Sequence, residues 1–107
     1  MAADREDLRL ALDRLTERLG RLPERHWTTG SQIAATVVHQ LRALTIELGD
    51  EGPAHVPPVG ARAAAAQVAV IGEDFLRSAA ACQDPIAVAA ATQKALAAVT
   101  SAASALP

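Results

Sequence analysis

Aromatic side chains are nearly missing from this chain. Of its 107 residues only Trp27 and Phe75 are aromatic, and there is no tyrosine. A core must therefore come from Leu, Val, Ile and Ala, with alanine alone making up about a quarter of the sequence. Burying a Leu or Val contributes about 1.5–3 kcal/mol and an Ala much less, so close helix approach and high helix propensity have to supply the rest. Cysteine is limited to Cys82, which excludes an internal disulfide and fits a reducing, cytoplasmic setting. The start, MAADREDLRL, is charged at once and shows no apolar signal core. No uninterrupted run of about 18 apolar residues is present, so no membrane span is expected. Basic charge is not in excess either. A net charge of −2 and a pI near 5.8 argue against a nucleic-acid partner, whose phosphates call for a basic face. A Gly-rich phosphate loop is missing, as is any nucleophile–base–orienter set, so the chain does not read as an enzyme and no cofactor is expected. Three scattered histidines and one cysteine do not make a metal site. Period-two alternation is absent throughout, which leaves no strand to predict.

The apolar residues recur at helical spacing instead. A chain of this length is one domain, 1–107, and four amphipathic helices are predicted, over about 4–22, 30–48, 59–81 and 85–106. The first starts at Asp4 as N-cap and carries Leu8, Leu12, Leu15, Leu19 and Leu22 on one stripe. Gly20 and Pro23 mark its end. More than half of all charged residues lie in the first 25 positions, nearly balanced in sign, which reads as a solvated helix face. Thr29 with Gln32 fits a capping box opening the second helix. Its stripe is Ile33, Val37, Leu41, Leu44 and Leu48, and Gly49 is a natural C′ residue. The segment GDEGPAHVPPV excludes regular structure. The third helix places Ala64, Val68, Ile71, Phe75 and Ala79 inward. Asp84-Pro85 is a strong start for the fourth, with aspartate as N-cap and proline at N1, followed by Val88, Thr92, Ala95, Val99, Ala102 and Leu106. The short linker before it makes helices three and four antiparallel neighbours. The predicted fold is all-α: an up-and-down antiparallel four-helix bundle. A three-helix core with the first helix packed on a partner is the alternative.

Chemistry competes with structure at one stretch, VVHQLRALTIELG, residues 37–49. At about 100° per residue, His39 lies nearly opposite the core stripe of its helix and should face water. Arg42 and Ala43, at i+3 and i+4, share its surface. An exposed imidazole beside a cation, with a small residue leaving room for a partner, suits a phosphoryl acceptor. The neutral ring nitrogen attacks and the guanidinium holds the phosphate.

HQLRALTIELG resembles the phosphoacceptor motif of histidine-phosphotransfer domains, which are four-helix bundles of this length with an exposed histidine on the second helix. The family pattern is His, any residue, Leu, Lys, Gly, small residues, then Leu-Gly. His39 matches the acceptor, Leu41 the core leucine and Leu48-Gly49 the closing pair. Arg42 stands at the lysine, Ala43 at the glycine and Leu44 at a small position. HQLR also resembles the H box of sensor kinases, though Ala43-Leu44 replaces the expected Thr-Pro or Asn-Pro. The resemblance implies a phosphorelay module with His39 as acceptor and a response regulator as partner.

The remaining motifs have simpler readings. Trp27 reads as a lid over one end of the bundle with Thr28 and Thr29 as caps; the competing reading is an anion pocket that includes His26. Glu73 and Asp74 point at different angles and are not a dyad. His55 sits in the Pro-rich loop. Ala35, Val38 and Ile46 lie on or near the back of the second helix, Leu10 falls outside its leucine stripe, and Lys94 is the only charge in the fourth helix after Asp84. Taken together, these features suggest a surface for a protein partner, self or a regulator, and most simply a homodimer. That surface is assigned to Ala35, Val38, His39, Arg42 and Ile46.

Overall fold

The computed structural model describes residues 4–107; Met1, Ala2 and Ala3 of the predicted domain lie outside that range. The protein is all-α, with four helices and no strand among the described residues. α1 spans Arg5–Gly20. Its predicted cap is present: the Asp4 carboxylate accepts the Asp7 amide at 2.9 Å, and Asp7 accepts the Asp4 amide in return. These bonds satisfy two amides that a helix start leaves orphaned. Leu8, Leu12, Leu15 and Leu19 are buried, and Leu22 packs on their cluster from the connection.

α2 spans Trp27–Glu47, three residues earlier than expected. Pro23 is extended and opens a 3-10 turn, Glu24–His26, which runs straight into the helix. Thr29 is consequently already helical and no side chain caps α2, so the predicted Thr29–Gln32 box does not form. At the other end Gly49 adopts φ 107°, a left-handed conformation that favours glycine.

α3 spans Ala64–Ala81 and follows a second 3-10 turn, Ala61–Ala63. It starts five residues later than predicted because Gly60 is extended and offers no cap. α4 spans Pro85–Ala105 as predicted, with Asp84 Oδ1 accepting the Ile86 and Ala87 amides at 3.1 Å each.

The bundle consists of two up-and-down antiparallel pairs, α1–α2 and α3–α4. Contacts along the chain fix how the pairs interlock. Arg62, just before α3, lies over the Trp27 ring at the start of α2, so α2 and α3 run the same way. Arg18 near the end of α1 donates to the Ala103 carbonyl near the end of α4 at 2.7 Å, so α1 and α4 also run the same way. Residues 48–63 therefore form a return connection that carries the chain back along α2. The sustained helix contacts are α1–α3, α1–α4, α2–α3 and α2–α4. α3 and α4 are antiparallel, as the short linker requires, but each makes its main contacts with α1 and α2. The expectation that they are close neighbours is corrected. α1 packs fully into the core, so the alternative three-helix core does not apply.

Phe75, Leu8, Leu15, Leu41, Val68 and Val99 are shut from solvent at the centre. Gly72 lets α1 and α3 approach closely. A Cβ at that position would meet the Leu12 methyls at 2.9 and 3.0 Å.

Candidate functional site

α2 carries the candidate site, and the return connection decides what it exposes. Asp50, Gly52 and Pro53 fold back over Arg42. The Arg42 guanidinium donates to Asp50 Oδ2 at 2.6 Å and through Nε to the Pro53 carbonyl at 2.8 Å. The Gly52 amide also donates to Asp50 Oδ2, at 3.0 Å. The Arg42 hydrogen bond, followed by that of Gly52, holds the Asp50 carboxyl below its ordinary value. Arg42 is only 8% exposed. This corrects the sequence reading, which placed Arg42 on the open surface beside His39. Its charge is committed to the loop, and it presents no free cation to a phosphate.

Val38 is corrected as well. It is 1% exposed and belongs to the core. Ala34, Val38, Leu41, Arg42 and Thr45 form a buried second stripe of α2, packed toward α3 and the connection. The apolar back of α2, expected to await a partner, is largely covered by the protein's own chain. Ile46 is half-buried, while Ala35, His39 and Ala43 are exposed.

His39 remains accessible. Its Nδ1 lies 2.7 Å from the Ala35 carbonyl oxygen. A carbonyl only accepts, so the ring carries its proton on Nδ1. In the neutral ring this leaves Nε2 as a lone pair directed away from the helix backbone. The connection brings His55 to the same place. A groove of about 400 Å³ lies between the first half of α2, the segment His55–Val59 and the start of α3, and both histidines line it. This meeting has no local signature, because it depends on the chain turning back along α2. The apolar run Val56-Pro57-Pro58 inside a loop was the one available hint, and Val56 does pack against the core.

The other candidates resolve structurally. Trp27 Nε1 donates to the Leu22 carbonyl at 2.9 Å and its ring sits 5.6 Å from the Arg62 guanidinium carbon, which fits the lid reading. Thr28 and Thr29 are exposed and cap nothing. Glu73 pairs with Arg9 through two hydrogen bonds, at 3.0 and 3.3 Å, and Asp74 with Arg77. Among the described residues no group of three or more His, Cys, Asp or Glu is placed to hold a metal.

α4 is the other surface of interest. Lys94 is its only charged residue, and Ile86 is 81% exposed. Ile86, Ala90, Gln93, Ala97, Thr100 and Ser104 are exposed at alternating spacings of four and three. They form one outward stripe. By length and composition α4 is apolar enough to cross a membrane, although Thr92, Gln93, Lys94, Thr100 and Ser101 interrupt its apolar run. Its inner face packs into the bundle through Thr92, Ala95, Val99 and Ala102.

No family model, curated protein or solved structure matches the chain significantly.

Proposed function

We propose that this chain is a non-catalytic helical-bundle protein that acts through protein–protein contact, with the outer face of α4 pairing with a second copy. The observation that carries this reading is the stripe of mainly small and apolar residues from Ile86 to Ser104, bordered by a single charge, Lys94. Only 28% of the most apolar 18-residue stretch of α4 is buried within one chain. A solvated bundle helix normally alternates charge along its outer face. Small side chains at Ala90, Ala97 and Ser104 let a second helix approach within about 8–10 Å. Sedimentation at micromolar concentration should show a dimer. Ala97→Glu should convert it to a monomer with an unchanged helical spectrum. A wild-type monomer at every concentration would overturn the reading, and flotation with lipid vesicles in place of dimerisation would assign the face to a membrane.

A second reading, phosphoryl acceptance at His39, is favoured by the free Nε2 of an exposed ring. Without Arg42 at the surface, the incoming phosphate would rely on a partner for its counter-charge. Incubation with a phosphorylated response regulator should then give an acid-labile, base-stable label that His39→Gln abolishes. Equal labelling of the variant would end this reading.

A further inference from the structure

The groove between α2 and the return connection has walls that are held in place. Arg42 pins the connection at Asp50 and Pro53. Farther along, Gln67 Nε2 of α3 donates to the Pro57 carbonyl at 2.9 Å. Pro57 and Pro58 stiffen the segment between these anchors. The space stays open because the residues beneath it, Ala34, Ala35 and Ala64, are small. At about 400 Å³ it falls within the range of small-ligand pockets, roughly 300–1,000 Å³.

Its chemistry narrows the occupant. The lining is mainly Ala, Val and Pro, and includes no Asp, Glu, Lys or Arg. A cation entering it would lose water without gaining an opposite charge, and a carboxylate would meet the lone pair of His39 Nε2 instead of a donor, both of which are unfavourable. Among its polar groups, His39 favours a hydrogen-bond donor. Nδ1–H of His39 is held by Ala35, so Nε2 accepts. Ser31 Oγ, also in the wall, is closed to solvent and has no hydrogen-bond partner.

We infer that this groove is a binding site for a small, neutral, mainly apolar molecule carrying one hydroxyl, of the phenol or naphthol class. The ring fills the space over Ala34 and Ala35, and the hydroxyl donates to Nε2 of His39. The site lies on the α3 side of α2, away from the outer stripe of α4, and does not depend on self-association.

The test is calorimetric titration of the full chain with 1-naphthol, naphthalene and 1-naphthoate, with amide NMR shifts to locate the contact. Saturable 1-naphthol binding is expected, with shifts at residues 31–39 and 55–59. Naphthalene should bind about tenfold more weakly, as for loss of one hydrogen bond, and naphthoate more weakly again. His39→Leu removes the acceptor and should bring naphthol down to the naphthalene level while leaving naphthalene unchanged. Ala35→Trp, at an exposed position, should block both while the helical spectrum and melting stay as in wild type. Absence of saturable binding, shifts elsewhere on the bundle, equal affinity for naphthol and naphthalene, or tighter binding of naphthoate would each overturn the proposal.

Discussion

α1 and α4 pack against each other and run in the same direction, yet they are built on opposite plans. Eight of the 16 residues of α1 are charged, against one of the 21 in α4. α1 buries four leucines on a narrow stripe and gives every other face to water. α4 buries Ala91, Thr92, Ala95 and Ala102 beside a single valine, Val99, and the first four release little hydrophobic energy each. The difference teaches that the two helices hold the bundle by different means. α1 contributes side-chain volume, whereas α4 contributes proximity, because its small residues allow the neighbouring helices to come close. α1 also finishes its own surface, whereas α4 leaves an outer face that water wets poorly.

Five measurements would break or sharpen this contrast. The largest effect is expected in α1: Leu15→Ala should lower the unfolding free energy by about 2–5 kcal/mol in a denaturant titration, since Leu15 is fully buried. A smaller loss of about 1–3 kcal/mol is expected from Ala95→Leu in α4, where added volume meets a closely packed site. A gain from that change would show that α4 is loosely packed and would erase the contrast. On the outer face, Ala97→Glu should leave the stability of the monomeric unit within about 0.5 kcal/mol, as surface changes generally do. The smallest effect concerns charge. The hydrogen bond from Arg9 holds the Glu73 carboxyl below its ordinary value of 4.5. The stabilisation from this pair is complete above that value and is lost as pH falls through the lower folded one. Amide NMR signals around Arg9 and Glu73 should therefore titrate in acid, while those of α4 from Gln93 to Ser104 stay still. Both side chains are exposed, so Arg9→Ala should leave the melting temperature at neutral pH unchanged.

Local signals were legible in the sequence and long-range ones were not. The α1 stripe, the Asp4 and Asp84 caps and the Gly49 terminus each depend on a few adjacent residues, and each is found where the pattern put it. The start of α2 departs from its local signal: Thr29 satisfies a capping pattern, but the turn set up by Pro23 has already begun the helix. Arg42 departs from its expected exposure for a different reason. Its helical phase puts it near His39, well away from the core stripe, and whether such a position is wet depends on what lies over α2. Gly49 and Asp50 turn the chain back over that surface, and Asp50 then supplies the counter-charge that makes burial of the guanidinium tolerable. The site was half legible. His39 is exposed as its phase required, but its company is His55 and the Pro-rich connection, which no helix periodicity can announce.

The return connection has a consequence for how the molecule folds. Because the chain doubles back before α3, every sustained helix contact joins a member of the first consecutive pair to a member of the second. Neither half of the chain contains the surface that would bury its own apolar stripes. The α1–α2 segment alone would expose its leucines and valines, and the α3–α4 segment would expose Phe75. Such a topology has no stable half-built state. The loop-closure entropy of the whole connection must be overcome before most of the packing energy is returned. Structure should accordingly be gained and lost in one cooperative step that includes all four helices.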